Sequence, residues 1–421
     1  MTKWLAAAAS VGLLAVVLPT PAAHAAEPAP TDVEISWKDS TRQYVHVTWR
    51  EDADRPNRIV VRARGELTDR VVRHVPAGAP NEIDLPKSAV RQAGTAYEVL
   101  QIAVSAADAD GTAASAVGLS AAFDILYSSE PLIEGFSPSG SAAVRLDWRN
   151  WPRQDRDTPD DPLDVDAPVL FQPMYRVGTA APVDVGRPTT AAGSTFAVPK
   201  PPFEVAVRAQ NEWDAGPPSQ WIRGRLVAFT TSIPRWVRAD APTVVSGTFS
   251  GPPTVQVTLQ ARNTAASAWY VVSSADFSGG RYRFSLASRG TREYRVAVAN
   301  TVTSTPSTVW YGGYSAPVTT TTQMTVWPTV YREPAPVGSG LAQIGLSIMP
   351  GIDGRGELQR WNGKTWTLVG YVFTKHGYGD AYLSTNVASR FAYRFYVPTH
   401  RFGAVTVAAA YSATFYQTIT R

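Results

Sequence analysis

Apolar and polar positions alternate through most of this chain, with the period of two that a half-buried strand requires. Val33, Ile35 and Trp37 share one face, and in the next segment Val45, Val47 and Trp49 oppose Tyr44, His46 and Thr48. Ile59 to Ala63, Ile102 to Ala106 and Val117 to Phe123 continue the series, with Asp108-Ala109-Asp110-Gly111 as the turn before the last. An Asp-Gly hairpin tip accounts for that turn without a metal ion. The landmarks return further on: Val144-Arg145-Leu146-Asp147-Trp148 repeats the strand ending at Trp49 at a step of 99, and Val205 to Ala209 repeats Ile102 to Ala106. The pattern predicts sheets of short strands, not helices.

A second repeat occupies the C-terminal half. Leu259-Gln260, Trp269, Tyr294-Arg295-Val296 and Tyr314-Ser315-Ala316 recur in the same order as Leu358-Gln359, Trp366, Tyr393-Arg394-Phe395 and Tyr411-Ser412-Ala413, at steps of 97 to 99. A repeat of that length is a whole domain rather than a solenoid unit. The chain of 421 residues is too long for one core and suits three or four. We therefore expect an all-β protein of four tandem β-sandwich domains, bounded at 26–129, 130–231, 232–322 and 323–421. Residues 1–25 read as an export signal: Lys3, the apolar run Trp4 to Leu18, and the small-x-small site Ala23-His24-Ala25. No later run reaches the 18 or so apolar residues of a membrane span, so the expected location is extracellular or loosely envelope-associated. Cysteine is absent, which excludes disulfides and thiolate chemistry.

A Trp ending the second strand, and a V-x-V-x-A strand leading to a polar turn with Gly, resemble the fibronectin type III family. That resemblance covers the first two domains and implies seven short strands in two sheets. The aromatic the family places before its penultimate strand is Phe203 in the second domain, and Tyr97, some residues early, in the first. The order L-Q-R, W, a Gly then a Tyr, and Y-R, carried by Leu358-Gln359-Arg360, Trp366, Gly379 and Tyr382, and Tyr393-Arg394, resembles immunoglobulin-like repeats of secreted and envelope proteins of actinobacteria. It implies two immunoglobulin-like sandwiches in which Trp269 and Trp366 cap the core.

Charge is unevenly placed. Residues 26–232 carry 21 Lys and Arg against 28 Asp and Glu; residues 233–421 carry 17 against 7, a net of plus 10. Such a half could attract anionic polymers, although its Arg residues are spread along strands. The second domain carries an insertion, Asn150 to Pro168, with Asp155, Asp157, Asp160, Asp161, Asp164 and Asp166. The fibronectin resemblance places it at the same pole as Glu212, Trp213 and Asp214. Two readings stay open: Trp151 and Trp213 flanking a sugar or calcium site, or an interdomain filler or mobile acidic loop. The Asp spacing lacks the order of a dedicated calcium loop.

Catalytic signatures are missing: the sequence has no G-x-S-x-G, H-E-x-x-H, G-x-x-x-x-G-K or G-x-G-x-x-G. Neither a cofactor, a metal nor a nucleic-acid partner is indicated, and the reading is non-enzymatic. The candidate ligand-binding residues are Trp151, Trp213, Trp310, Tyr311, Trp361 and Tyr378, with Tyr371 as a further surface aromatic. The expected role is an extracellular adhesive, spacer or polymer-binding module, whose partner is envelope or environmental polysaccharide or another surface protein. Two other roles remain open: an accessory to or member of a polysaccharide-degrading (glycosidase) system, and a self-assembling structural envelope component.

Overall fold

In a computed structural model of the chain, residues 28–95, 98–150, 160–338, 340 and 342–421 are described. The export signal and Tyr97 lie outside them. Strands dominate, and the one helix among the described residues is the short Lys87–Gln92. The first sandwich pairs Tyr44–Arg50 with Thr31–Trp37 on one side and Glu82–Pro86 on the other. Its second sheet runs in the order Val71–Val75, Asn57–Ala63, Val99–Ala106, Gly118–Leu119. The alternation in the sequence is the alternation of burial. Val45, Val47 and Trp49 are inside, facing Ile59, Val61, Ile102 and Val104 from the other sheet, while Tyr44 is exposed.

The other three sandwiches repeat this order. In each, the first, second and fifth main strands form a three-stranded sheet, and the fourth, third, sixth and seventh form the other. In the third sandwich these are Ala228–Phe229, Pro242–Ser250 and Arg281–Ala287 against Tyr270–Ser278, Thr254–Arg262, Arg292–Val298 and Val318–Gln323, extended by Trp236–Arg238. In the fourth they are Thr325–Val330, Ala342–Met349 and Tyr378–Leu383 against Trp366–Thr374, Gly354–Trp361, Ser389–Val397 and Phe415–Thr420, extended by Ala335–Pro336.

Two compact units emerge, and they cut across the chain order. Of the described residues, the first holds those from 28 to 129 together with 160–169 and 210–216; the second holds the rest. Within the first unit, Leu163 and Trp213 lie in the core of the first sandwich. Trp213 is fully buried, edge-on to Trp37 at 4.9 Å and stacked on Phe123 at 6.2 Å. The indole N–H of Trp37 donates to the Leu163 carbonyl at 2.8 Å. The acidic insertion is tied down by its own carboxylate, because Asp161 accepts from the Asp124 and Leu163 backbone N–H groups, each at 2.8 Å.

Within the second unit, successive sandwiches share backbone hydrogen bonds. The hairpin Thr301–Ser304 and Ser307–Tyr311 of the third sandwich adds to the sheet of the second, pairing Ser307–Tyr311 in parallel with Ile222–Leu226. Tyr311 seals the join: its ring packs 6.0 Å from Phe203 and its hydroxyl donates to the Ala143 carbonyl at 2.8 Å. The hairpin His400–Phe402 and Val405–Val407 stands at the matching place in the fourth sandwich. It reaches the third through Thr291 N–H to Thr406 carbonyl (2.7 Å) and Ala408 N–H to Thr322 carbonyl (2.8 Å).

Candidate functional site

The outer face of the three-stranded sheet of the fourth sandwich gathers aromatic side chains over a floor of small ones. Cross-strand register aligns Trp327 with Ser347 and Tyr378, Thr329 with Gly345 and Asp380, and Gln343 with Tyr382. Tyr331 joins the last row through its N–H bond to the Gln343 carbonyl. All four aromatics are open to solvent: Trp327 at 40%, Tyr331 at 57%, Tyr378 at 70% and Tyr382 at 67%. Alternation explains this, since Val326, Ile344, Leu346, Ile348 and Leu383 on the other face fill the core.

Gly345 is what lets the floor lie low. A methyl group added there would come within 2.8 Å of the Tyr331 hydroxyl, so the Tyr331 ring lies across the glycine. That hydroxyl bonds to the Asp380 carboxylate, whose charge holds the phenol proton on and raises its pKa. With strands about 4.8 Å apart and residues about 3.4 Å apart along a strand, Trp327 and Tyr378 flank Ser347 roughly 10 Å from each other, and Tyr378 and Tyr382 stand roughly 14 Å apart. Flat apolar rings beside a carboxylate, an amide and hydroxyls match the chemistry of a sugar, which offers C–H faces and hydroxyl edges.

The residues expected from sequence fall in different places. Tyr378 belongs to this face, and Trp361 is exposed at 41% on the other sheet of the same sandwich, tilted over Trp366 at 5.5 Å. Trp213 is a correction: filling the first core, it presents no face for stacking. Tyr311 is 3% exposed where two sandwiches share a sheet, at the wall of a groove beside the third sandwich. Trp310 is half-buried, packs on the third core and donates its indole N–H to Thr303 Oγ1 at 3.3 Å. Trp151, Asp155 and Asp157 lie outside the described residues. Among the described residues, no three His, Asp or Glu side chains gather to hold a metal ion, and no helix is long and apolar enough to cross a membrane.

Trp327, Tyr331 and Tyr382 were not singled out from sequence. Their spacing was visible: Trp327, Thr329 and Tyr331 share one face of a strand, as do Tyr378, Asp380 and Tyr382. Which face turns outward was not, because both carry large apolar side chains.

Trp269 and Trp366 also differ from expectation. Neither caps the core; each covers an arginine on the outer face of the larger sheet. Arg295 lies 4.3 Å from the rings of both Trp269 and Tyr314, with Nε donating to Gln260 Oε1 at 2.8 Å. Arg394 repeats this between Trp366 (4.5 Å) and Tyr411 (4.1 Å), with Nε to Gln359 Oε1 at 2.8 Å. The residues that define the sequence repeat are therefore a cation held between aromatic faces. Each arginine alternates with buried neighbours, Tyr294 and Val296 or Tyr393 and Phe395, so it points outward and draws its Trp with it.

No family model and no curated protein matches the sequence. Among solved structures, the chain is similar to a tetra-tandem repeat in the extending region of a large adhesion protein, at 12% identity and a TM-score of 0.28, covering 91% of this chain and 98% of that one. It is also similar to the FN1-FN3 domains of chicken CNTN1, at 11% identity and a TM-score of 0.22, covering 69% and 98%. At those values neither likeness bears on function.

Proposed function

We propose that this protein is an exported, non-catalytic string of β-sandwiches that acts as an extracellular adhesive module, and that its fourth sandwich binds neutral polysaccharide. The observation that carries the reading is the aromatic face of Trp327, Tyr331, Tyr378 and Tyr382, exposed together around Gly345, Ser347 and Asp380. Sugar rings stack on the aromatics while Asp380 and Gln343 meet their hydroxyls. Exposed aromatic clusters of this size mark interaction surfaces rather than ordinary solvent-facing sheet.

The test is retention of the purified chain on insoluble cell-wall and plant polysaccharides, compared with the double variant Trp327→Ala/Tyr378→Ala. Stacking on two rings is expected to make at least a tenfold difference in affinity, with hydrogen exchange of the core strand Ser389–Val397 kept slow as the check that the fourth sandwich stays folded. Retention on none of the polymers, or equal retention of the two proteins, would overturn the reading.

A further inference from the structure

The third and fourth sandwiches keep the same Gln, Trp, Arg and Tyr on the outer face of the larger sheet, yet the positions beside that cluster differ. Thr258 is opposite Ala297, which is opposite Tyr314. At the same register the fourth sandwich has Glu357, Tyr396 and Tyr411. There Tyr396 packs on Tyr411 at 4.8 Å, and the Glu357 carboxylate accepts from the Gln359 amide at 3.2 Å. In the third sandwich the small residues leave an open groove of about 500 Å3, lined by Thr258, Gln260, Val271, Ala297 and Tyr314 and bordered by Gly140, Ser141 and Leu226 of the second sandwich. That volume lies in the range of small-ligand sites.

Behind two of the lining side chains stands a cation with spare hydrogen-bonding capacity, Arg295. Gln260 and Tyr314, which line the groove, are two of the side chains that hold Arg295. Its Nε is spoken for, and no carboxylate among the described residues pairs with its guanidinium. Stacking between two rings fixes the plane of the fork in advance, which favours two parallel bonds to a carboxylate. Tyr314, 64% exposed, offers a ring for stacking.

We propose that this groove binds a uronic acid residue of a polysaccharide, with the sugar ring against Tyr314 and Ala297 and its carboxylate on Arg295, assisted by the Gln260 amide. The site is separate from the aromatic face of the fourth sandwich and does not depend on it. The fourth sandwich, filled by Tyr396 and bearing Glu357, lacks the equivalent site.

Calorimetric titration of the full chain with tri-galacturonate, and with neutral galactotriose as the control, tests this. The acidic trimer is expected to bind at least tenfold more tightly than the neutral one, and less tightly as salt rises. Ala297→Tyr installs the residue that the fourth sandwich tolerates, so it should keep slow hydrogen exchange in the core strand Thr254–Arg262 and lose binding. Arg295→Gln should remove the preference for the acid, whereas Arg394→Gln should change nothing. Equal binding of the two trimers, no binding of the acid, or wild-type affinity in Ala297→Tyr would overturn the proposal. Loss of acid binding in Trp327→Ala/Tyr378→Ala would also overturn it, placing the ligand on the fourth sandwich and leaving the reading of that face intact.

Discussion

Replacing Trp213 with alanine should destabilise the first sandwich, from which Trp213 is more than eighty residues distant in sequence. The side chain is fully buried, in contact with Trp37 and Phe123. A tryptophan buries about 150–250 Å2, which at about 25 cal/mol per Å2 amounts to roughly 4–6 kcal/mol of transfer free energy. Aromatic truncations in cores cost about 3–5 kcal/mol once partial collapse of the cavity is allowed. Against a typical total of about 5–15 kcal/mol for a domain, that loss is large. Trp213→Phe should cost less, because it keeps a ring in place and removes an indole N–H that is buried without a partner. Several domains unfold in this chain, so one global transition would blur the effect. Hydrogen exchange resolved by peptide is the suitable assay, with Asn57–Ala63 and Val99–Ala106 as reporters and Thr254–Arg262 as the internal control. Faster exchange confined to the two reporters is expected. Unchanged exchange there, or equal acceleration in the control strand, would refute the reasoning.

Asp161 gives a pH test. Burial pushes its pKa up to about 7, outweighing the two backbone N–H groups that favour the ionised form, with the nearby acids Asp164 and Asp124 adding to the rise. A raised carboxyl pKa means the folded state holds its proton more tightly than the unfolded one. The contribution is therefore greatest below about pH 4, shrinks as pH rises towards 7 and is flat above. It is at most about 4 kcal/mol, and less if the insertion undocks first. Exchange at Asp124 and Leu163 amides between pH 5 and 8, corrected for intrinsic rates, should show this slope in the wild type and lose it in Asp161→Asn; a slope of the opposite sign would be contrary evidence. Gly224→Ala should loosen the join between the second and third sandwiches, since an added methyl would lie 2.2 Å from the Phe203 ring that packs on Tyr311. A loss of about 1–3 kcal/mol is expected, read as faster proteolysis at Thr301–Tyr311; resistance equal to wild type would argue that the ring moves freely.

The sandwich architecture was legible because alternation and burial follow from the same pleat. Val45, Val47 and Trp49 were assigned to one face from spacing alone, and that face is the inner one. What spacing does not carry is long-range partnership. Trp213 follows a strand of the second sandwich, and of the two readings its spacing leaves open it fits the interdomain filler, since it completes the first core. For Tyr311 the limit is related: its strand pairs with one from another sandwich, so its exposure depends on a neighbour 85 residues upstream, Leu226. Trp269 and Trp366 were misplaced because a recurring Trp suggests a core, whereas here recurrence preserves a cation stack on the surface. For the aromatic face, Tyr378 alone is picked out by sequence: Trp327 and Tyr331 reach it only across the folded sheet, and Tyr382, on its own strand, reads as part of the repeat.

The parallel pairing of Ile222–Leu226 with Ser307–Tyr311 has a consequence for biogenesis. A polypeptide emerging amino end first presents Leu226 long before Tyr311, and at about 5–20 residues per second the interval is roughly 4–17 seconds. Throughout that time the nascent second sandwich carries an unsatisfied ribbon of amides and carbonyls, ready to recruit any passing strand. A shortened gene product ending near Phe229 would keep that vulnerability permanently, so expression of the second sandwich by itself is expected to yield aggregates that disappear once the downstream hairpin is included.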